Sequence, residues 1–222
     1  MSESARYVAI IMDGNARWAS EHSVDLLAGH RAGADTLKQT VKDAVGLGIE
    51  QLTVYAFSTE NWLRPTAEVN GLMVMFSELI EHETPELNEQ GVRMVFIGRR
   101  ERLTEELKRQ MDWATAETAT NTRMTLFVAF NYGGRAELVD AAASFEGGSE
   151  EDFAALLYAP DMQDPDLVIR TSGERRLSNF LIWQSAYSEL YFSDVLWPDF
   201  DVTELAAAIA DCDARKRRFG AR

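Results

Sequence analysis

Short apolar runs alternate along this chain with longer stretches in which apolar residues recur at helical spacing. Tyr7-Val8-Ala9-Ile10-Ile11 is apolar and β-favouring, the signature of a buried strand. Runs of this kind predict strands at 7–12, 51–57, 92–98, 123–130, 166–169 and 189–192. Between them, Thr36, Leu37, Thr40, Val41, Ala44 and Val45 follow the helical period, as do Val69, Leu72, Met73, Phe76, Leu79 and Ile80. Helices are predicted over 31–46, 66–90, 100–119, 134–145 and 150–158, with a last one from about 202 to 217. Gly48, Gly91 and Gly98 punctuate the joints, and Glu146-Gly147-Gly148-Ser149-Glu150-Glu151 is a polar turn into a helix. The alternation predicts an α/β fold whose mostly parallel central sheet is covered by helices on both faces. No repeat or linker interrupts the 222 residues, so residues 1–222 read as a single domain with one sizeable core.

Charge narrows the function. The formal net charge is −14, yet residues 214–222 hold Arg215, Lys216, Arg217, Arg218, Arg222 and no acid. The rest of the chain carries 17 basic against 36 acidic residues. Nucleic-acid binding needs a broad basic face, which this balance excludes. An anionic ligand must be met by a few placed arginines. The basic tail fits a solvated helix end, favoured by the helix dipole. Cys212 is the only cysteine, which excludes an intrachain disulfide and a cysteine-based metal cage and suits a reducing cytoplasm. No apolar run approaches the roughly 20 residues of a spanning helix, and Met1-Ser2-Glu3-Ser4 has no secretory pattern.

Polar groups cluster where the strands end, which is where α/β folds bind ligands. After the first strand stand Asp13, Gly14, Asn15, Ala16, Arg17 and Trp18. Asp13 can hold a hard divalent cation, Gly14 lets the backbone approach a ligand, and Arg17 can bind phosphate bidentately. Their natural ligand is a magnesium-bound phosphate or diphosphate; a turn capped by Asp13 is the plainer reading. Gly29-His30-Arg31-Ala32-Gly33 opens the first long helix, where His30 can meet a phosphate or serve as a cap. After the second strand come Ser58, Thr59, Glu60, Asn61, Trp62 and Arg64, closed by Pro65. An indole beside an arginine suits an apolar chain tied to an anionic head; a packed loop with Trp62 in the core gives the same pattern. Asn131-Tyr132-Gly133-Gly134-Arg135 is either an anion-binding turn or a tight strand-to-helix joint, the latter being simpler. Arg170 ends a short strand, and Arg176 and Ser178 follow in one loop, a set able to clamp a diphosphate. Glu189, before an apolar strand, is an edge group or a second oxygen ligand for magnesium.

Together these segments resemble the cis-prenyltransferases, the undecaprenyl diphosphate synthase family. The resemblance runs from Val8 to Gly220 and rests on D-G-N-A-R-W at 13–18, G-H-R-A-G at 29–33, Y-A-F-S-T-E-N-W-L-R-P at 55–65 and N-Y-G-G-R at 131–135. D-L-V-I-R-T-S-G-E-R-R-L-S-N-F at 166–180, A-Y-S-E-L-Y-F-S-D-V-L-W-P-D-F at 186–200 and R-R-F-G at 217–220 complete it. The resemblance implies a magnesium-dependent prenyltransferase that joins an allylic diphosphate to isopentenyl diphosphate and forms a Z-configured polyprenyl diphosphate. It implies that Asp13 engages magnesium and the leaving diphosphate, and that Gly14, Asn15, Ala16 and Arg17, with Trp18 alongside and His30, cradle the allylic diphosphate. Ser58, Thr59, Glu60, Asn61, Trp62 and Arg64 fall in the allylic site and the bond-forming region, with Asn61 at the position of proton removal. Arg170, Arg176 and Ser178 match the homoallylic diphosphate site and Glu189 a magnesium ligand. Arg218 and Gly220 match a C-terminal element that completes that site across a homodimer interface. Helices such as 69–80 then wall an apolar tunnel, and an apolar product implies peripheral membrane contact.

One position departs from the family pattern. Many relatives carry an arginine four residues before the histidine of G-H-x-A-G, where this chain has Leu26, next to Asp25. The lost charge-assisted bond is worth on the order of 2 kcal/mol. Ala16 replaces a common glycine, and the segment before Asp166 is short for the family. Leu26 and the short segment keep open an irregular, branched product made from two allylic diphosphates, and a separate alternative is a non-catalytic subunit of a two-component enzyme. Retention of Asp13, Asn61, Arg170, Arg176 and Glu189 speaks against the second, and the small Ala56 leaves room for a long product.

Overall fold

The computed structural model of the chain describes residues 4–215. Strands β1 (Tyr7–Ile11), β2 (Gln51–Ser58), β3 (Val92–Ile97), β4 (Met124–Tyr132), β5 (Leu167–Arg170) and β6 (Glu189–Phe192) form one sheet in the order β3-β4-β2-β1-β5-β6. Every neighbouring pair is parallel. All six predicted strands have their counterpart. Connections from β1 run to β2 on one side, while β5 leads to β6 on the other. The winding therefore reverses between β1 and β5, and the crevice beyond their carboxyl ends is where such sheets bind ligands.

Seven α-helices accompany the described sheet: α1 (Asn15–Glu21), α2 (Leu26–Leu47), α3 (Thr66–Glu89), α4 (Glu105–Glu117), α5 (Gly134–Ser144), α6 (Glu150–Ala154) and α7 (Val202–Ala214). Side chains alternate across β1, so Val8 and Ile10 face one layer while Ala9 and Ile11 face the other. The larger core joins Val8 and Ile10 to residues of α2, α3, α4 and α7, such as Val41, Leu72, Met111 and Leu205. The opposite face is covered unequally. Its core sets the strand residues Phe127 and Tyr132 against Ala159, Met162, Phe180 and Leu181, which come from irregular chain rather than helices. Behind it the buried Glu137 of α5 accepts hydrogen bonds from Tyr132 Oη (2.5 Å), Gln184 Nε2 (3.1 Å) and the Tyr158 N–H (3.1 Å). No helix among the described residues is long and apolar enough to cross a membrane.

Three helix starts differ from expectation: α4 begins at Glu105, capped by Thr104, rather than at 100, and the other two shape the site. The segment after β1 is a helix, α1, rather than a turn. Its N-cap is Gly14 at φ +116°, a conformation that L side chains rarely adopt, and it offers no side-chain cap to betray the helix. Helix α2 starts at Leu26, five residues before the predicted 31, because Asp25 Oδ1 caps it by accepting from the Ala28 N–H at 2.8 Å. Gly29 and Gly33 are thus inside α2, where a Cβ would lie 2.5 Å from Asn15 O and 2.3 Å from Asn15 Oδ1. The two glycines let α2 cross directly against α1. His30, expected at a helix N-terminus, sits one turn further in, so its side chain rather than the free N–H groups of a helix end faces a ligand.

Candidate active site

Asp13 and Arg170 meet at the switch point. Thr171 Oγ1 accepts from the Asp13 N–H at 2.9 Å and donates to the Asp13 carbonyl at 2.6 Å, which fixes the backbone where β1 ends. The Asp13 carboxylate, 32% exposed, accepts from Arg170 Nη2 at 2.8 Å, and Arg17 Nη2 stands 3.9 Å away. Arg170 is nearly enclosed, with a side chain 6% exposed. Its Nη1 donates to Ser178 Oγ and to the Arg176 carbonyl, both at 2.6 Å. A buried guanidinium thus organises Asp13 and the 176–178 loop at once, and this shared bonding is what keeps the buried charge tolerable.

Two polar compartments share Met12, Asp13 and Arg64. The larger, about 590 Å³, is lined by Ser58, Glu60, Asn61, Arg170, Arg176 and Ser178 among others. The smaller, about 340 Å³, is lined by Gly14, Asn15, Ala16, Arg17, Leu26, His30 and Glu68. A narrower space of about 120 Å³, polar where Asn15, His30, Asn61 and Arg64 line it, runs on between Leu37, Leu72, Met75 and Phe76. It continues into a chamber of about 90 Å³ against Val41, Ile80, Met94 and Leu126. The geometry is a pair of polar chambers with an apolar passage leading from their junction.

The second loop is built by a 3-10 turn over Thr59–Leu63. Ser58 and Asn61 form its capping box, with the Ser58 N–H donating to Asn61 Oδ1 at 2.9 Å. That bond fixes the Asn61 carboxamide at the junction of both polar and apolar spaces. Burial alone would raise the Glu60 carboxyl, but hydrogen bonds from Asn179 and from its own N–H, Ser58 and Thr59 hold it below its ordinary range. Arg64 Nη1 pairs with Glu68 Oε1 at 2.9 Å. Burial, then the neighbouring Arg64, lowers the His30 pKa against a smaller opposing pull from Glu68, so the ring is neutral near pH 7. His30 Nε2 and Asn15 Oδ1 are buried without a hydrogen-bond partner among the described residues. Buried polar atoms of this kind are ones a bound ligand can satisfy.

Several expected site residues stand elsewhere. Trp18 stacks on His22 and donates from Nε1 to Asp199 Oδ1 at 2.8 Å, on the outside of α1. Trp62 packs edge-on to Phe57, lies under Arg102 and donates to Asn131 Oδ1 at 2.7 Å, the packed-loop alternative. Thr59 bonds Glu60 and backs onto Gly133 rather than the cleft. Gly133 and Gly134 make a tight joint, since a Cβ at Gly133 would fall 2.6 Å from Thr59 Oγ1. Glu189 pairs in register with Leu167, at the end of the sheet away from Arg170 and Asp13, some 10 Å along the strand. It is bound by Arg215 at 2.8 Å, so within one chain it does not share a cation with Asp13. Arg176 reaches the cleft but pairs with Glu174. Arg218 and Gly220 lie outside the described residues. Asp25, next to Leu26, is spent on the helix cap and is not an anion of the cleft.

Tyr55, Glu68 and Asn179 also line the chambers and escaped the sequence reading. Tyr55 Oη donates to the Tyr132 carbonyl at 3.2 Å, and Asn179 Nδ2 donates to Glu60 Oε1 at 2.8 Å. Glu68, placed one helical turn from Arg64, was within reach of sequence reasoning as an i,i+4 ion pair. As for cations, the Asp13 carboxylate is held by Arg170 through one oxygen, and no group of three metal-ligating side chains exists among the described residues. One carboxylate beside room for phosphates fits a cation completed by ligand oxygens and water.

Comparison with known proteins agrees with this architecture. Residues 11–220 match the prenyltransferase family model of the undecaprenyl diphosphate synthases. The chain is 48% identical to an isoprenyl transferase of Fusobacterium nucleatum over 220 residues, covering 97% of this chain and 95% of that one. An isoprenyl transferase of Thermotoga maritima is also 48% identical, over 97% of this chain and 96% of its own. Lavandulyl diphosphate synthase from Lavandula x intermedia, solved with dimethylallyl diphosphate, superposes with a TM-score of 0.94 at 34% identity and 98% coverage of both chains. With its motifs converging on the β1–β5 switch point, the chain belongs to the undecaprenyl diphosphate synthase family of prenyltransferases.

Proposed function

We propose that the protein joins an allylic diphosphate to isopentenyl diphosphate, lengthening a Z-configured prenyl chain with release of diphosphate. One observation carries the reading: two polar chambers share Asp13 and Arg64, and an apolar passage leads from their junction. The smaller chamber suits the allylic diphosphate. Arg17, His30 and Arg64 surround it, and the first N–H groups of α1 are the unpaired donors of a helix start. Its apolar tail then enters the passage. The larger chamber, with Arg170, Arg176 and Ser178, suits the homoallylic diphosphate.

Allylic C–O cleavage leaves a delocalised cation and a diphosphate, and charge on the departing oxygens grows as the bond stretches. Arg17, Arg64 and the His30 ring stand where that charge develops, in a partly enclosed site that strengthens each interaction. Asp13 would hold a magnesium ion, which would supply positive charge to neutralise the phosphate oxygens. Holding two diphosphates in adjoining chambers brings the homoallylic double bond to the cationic carbon without a covalent enzyme intermediate. Asn61 orients the reacting carbons. Its Oδ1 already accepts from Ser58 and a carboxamide is a weak base, so the proton passes to phosphate oxygen or water. Leu26 leaves Arg64 as the guanidinium common to both chambers.

A homodimer would let the tail bearing Arg218 and Gly220 complete the larger chamber of a partner, and an apolar product calls for contact with lipid. Incubation of the purified protein with magnesium, isopentenyl diphosphate and dimethylallyl, geranyl or farnesyl diphosphate tests the reading by product size. Z-chains that vanish on chelation of magnesium support it. Product from dimethylallyl diphosphate alone, or no turnover until another protein is added, overturns it.

A further inference from the structure

The Gly133-Gly134 joint stands beside the larger chamber, and neither glycine lines it. Gly133 is extended at φ −158°, so its backbone does not call for glycine. The space around it does. A Cβ there would fall 2.6 Å from Thr59 Oγ1 and 2.8 Å from Asn179 Nδ2. These two atoms are the donors to one carboxylate. Asn179 Nδ2 donates to Glu60 Oε1 at 2.8 Å, and Thr59 Oγ1 donates to Glu60 Oε2 at 3.2 Å. The joint also grips Asn179 by its other groups. Asn179 Oδ1 accepts from the Arg135 N–H at 2.8 Å, and the Asn179 carbonyl accepts from the Gly134 N–H at 2.7 Å. Ser178 and Asn179 stand at φ +49° and +67°, in the left-handed region that asparagine tolerates better than most side chains. One carboxamide thus joins the second loop, the β4–α5 joint and the loop that carries Ser178.

Glu60 needs such handling. It lines the larger chamber together with Arg170, Arg176 and Ser178, where a diphosphate meets it as a like charge. A loose carboxylate there would compete with the diphosphate for the guanidinium groups. With both oxygens taken by neutral donors it does not: Arg170 pairs with Asp13 and Arg176 with Glu174. Burial raises the Glu60 carboxyl, and the Asn179 bond is the largest of the opposing effects that hold it below its ordinary range. Resting on the prenyl-transfer reading above, we propose that Asn179 is a positioning residue: seated with Thr59 against Gly133, it turns the Glu60 carboxylate off the arginines of the larger chamber, so that isopentenyl diphosphate meets them without an internal competitor.

The test measures KM for isopentenyl diphosphate and for geranyl diphosphate at saturating magnesium, in the parent chain and in a Glu60→Gln background. Asn179→Gly keeps the left-handed backbone and removes the carboxamide. In the parent background it is expected to raise KM for isopentenyl diphosphate about tenfold and leave KM for geranyl diphosphate within about twofold. In the Glu60→Gln background the same change should move KM for isopentenyl diphosphate less than about twofold, because the anion that Asn179 controls is gone. Gly133→Ala displaces both donors at little cost in stability, since each is the tip of a side chain. It carries the same two expectations and decides the question if Asn179→Gly does not fold. A tie that only braces the loop would raise KM equally in both backgrounds, and that result overturns the proposal. So does an unchanged KM for isopentenyl diphosphate in the parent background, or an equal rise for both substrates. A parent that performs no condensation overturns the prenyl-transfer reading and this proposal with it, so the two failures are told apart.

Discussion

Replacing Asp13 separates the two tasks of its carboxylate. In the fold it receives Arg170 Nη2 at 2.8 Å, and Arg170 keeps Ser178 Oγ and the Arg176 carbonyl at 2.6 Å each when that bond is lost. Breaking a fully buried pair costs about 3–5 kcal/mol. Asp13 is 32% exposed, so water reaches the vacated position and the cost of Asp13→Ala falls to about 1–3 kcal/mol. For a chain of this size that lowers the melting point by about 2–12 °C. Asp13→Asn keeps an oxygen acceptor for Arg170 and should cost under about 1 kcal/mol, or at most ~4 °C. In the reaction the order of severity disappears, because both variants lose the negative charge. Each is expected to lower kcat/KM for condensation by about 10³-fold, roughly 4 kcal/mol. Calorimetry and single-turnover condensation at saturating magnesium measure the two tasks. Asp13→Asn retaining more than a tenth of parental activity removes Asp13 from the reaction. Asp13→Ala melting with the parent removes the Arg170 pair from the account of stability.

Gly33→Ala forces a Cβ to within 2.3 Å of Asn15 Oδ1 and 2.9 Å of Trp197 Cδ1. It should cost about 1–3 kcal/mol and raise KM for the allylic substrate more than for isopentenyl diphosphate, and unchanged values of both refute the close-packing role. Asn131 is buried at φ +50°, donates to the Arg99 and Glu101 carbonyls at 2.9 Å each and accepts from Trp62. Asn131→Ala should cost about 2–4 kcal/mol in thermal melts; a loss below ~1 kcal/mol is incompatible with that network. His30 is held below its ordinary value of 6.5, first by burial and then by Arg64, so the unfolded chain takes up its proton first on acidification. Its contribution is full above pH 6.5 and is lost as pH falls from there towards the depressed folded value. The melting-point drop between about pH 7.5 and pH 5.5 should therefore be smaller in His30→Asn than in the parent, and an equal drop rejects a neutral, buried His30.

The strands were legible because apolar runs such as Val8–Ile11 are buried on both faces of a parallel sheet and carry no alternation to misread. The polar strand ends at Asp13, Ser58 and Arg170 line one crevice, since backbone direction alone brings them together. Helix α1 was not legible: Gly14 caps it without a side chain, and seven residues hold too few apolar positions to show a period. The early start of α2 was hidden by its own glycines, which are there for contact with Asn15 rather than for a turn. Trp62 shows the limit of composition. An indole beside Arg64 suggested a substrate face, whereas its N–H finds Asn131, a partner 69 residues away that no local pattern shows. Glu189 fails to join Asp13 for a reason visible only in the register, which places it at the other end of β6.

The bond between Asp13 and Arg170 spans 157 residues of chain, and this has a consequence for synthesis. β1 is an inner strand only because β5 covers the edge left open by β2. Until Arg170 has emerged from the ribosome, Val8, Ala9, Ile10 and Ile11 present an apolar, unpaired edge of the kind that recruits other strands. From the end of β2 at Ser58 to the end of β5 at Arg170, translation at 5–20 residues per second takes on the order of ten seconds. The same insertion that buries this edge completes the catalytic crevice. A nascent chain therefore becomes protected from aggregation and competent for ligand in one event, and a chain truncated before Arg170 attains neither.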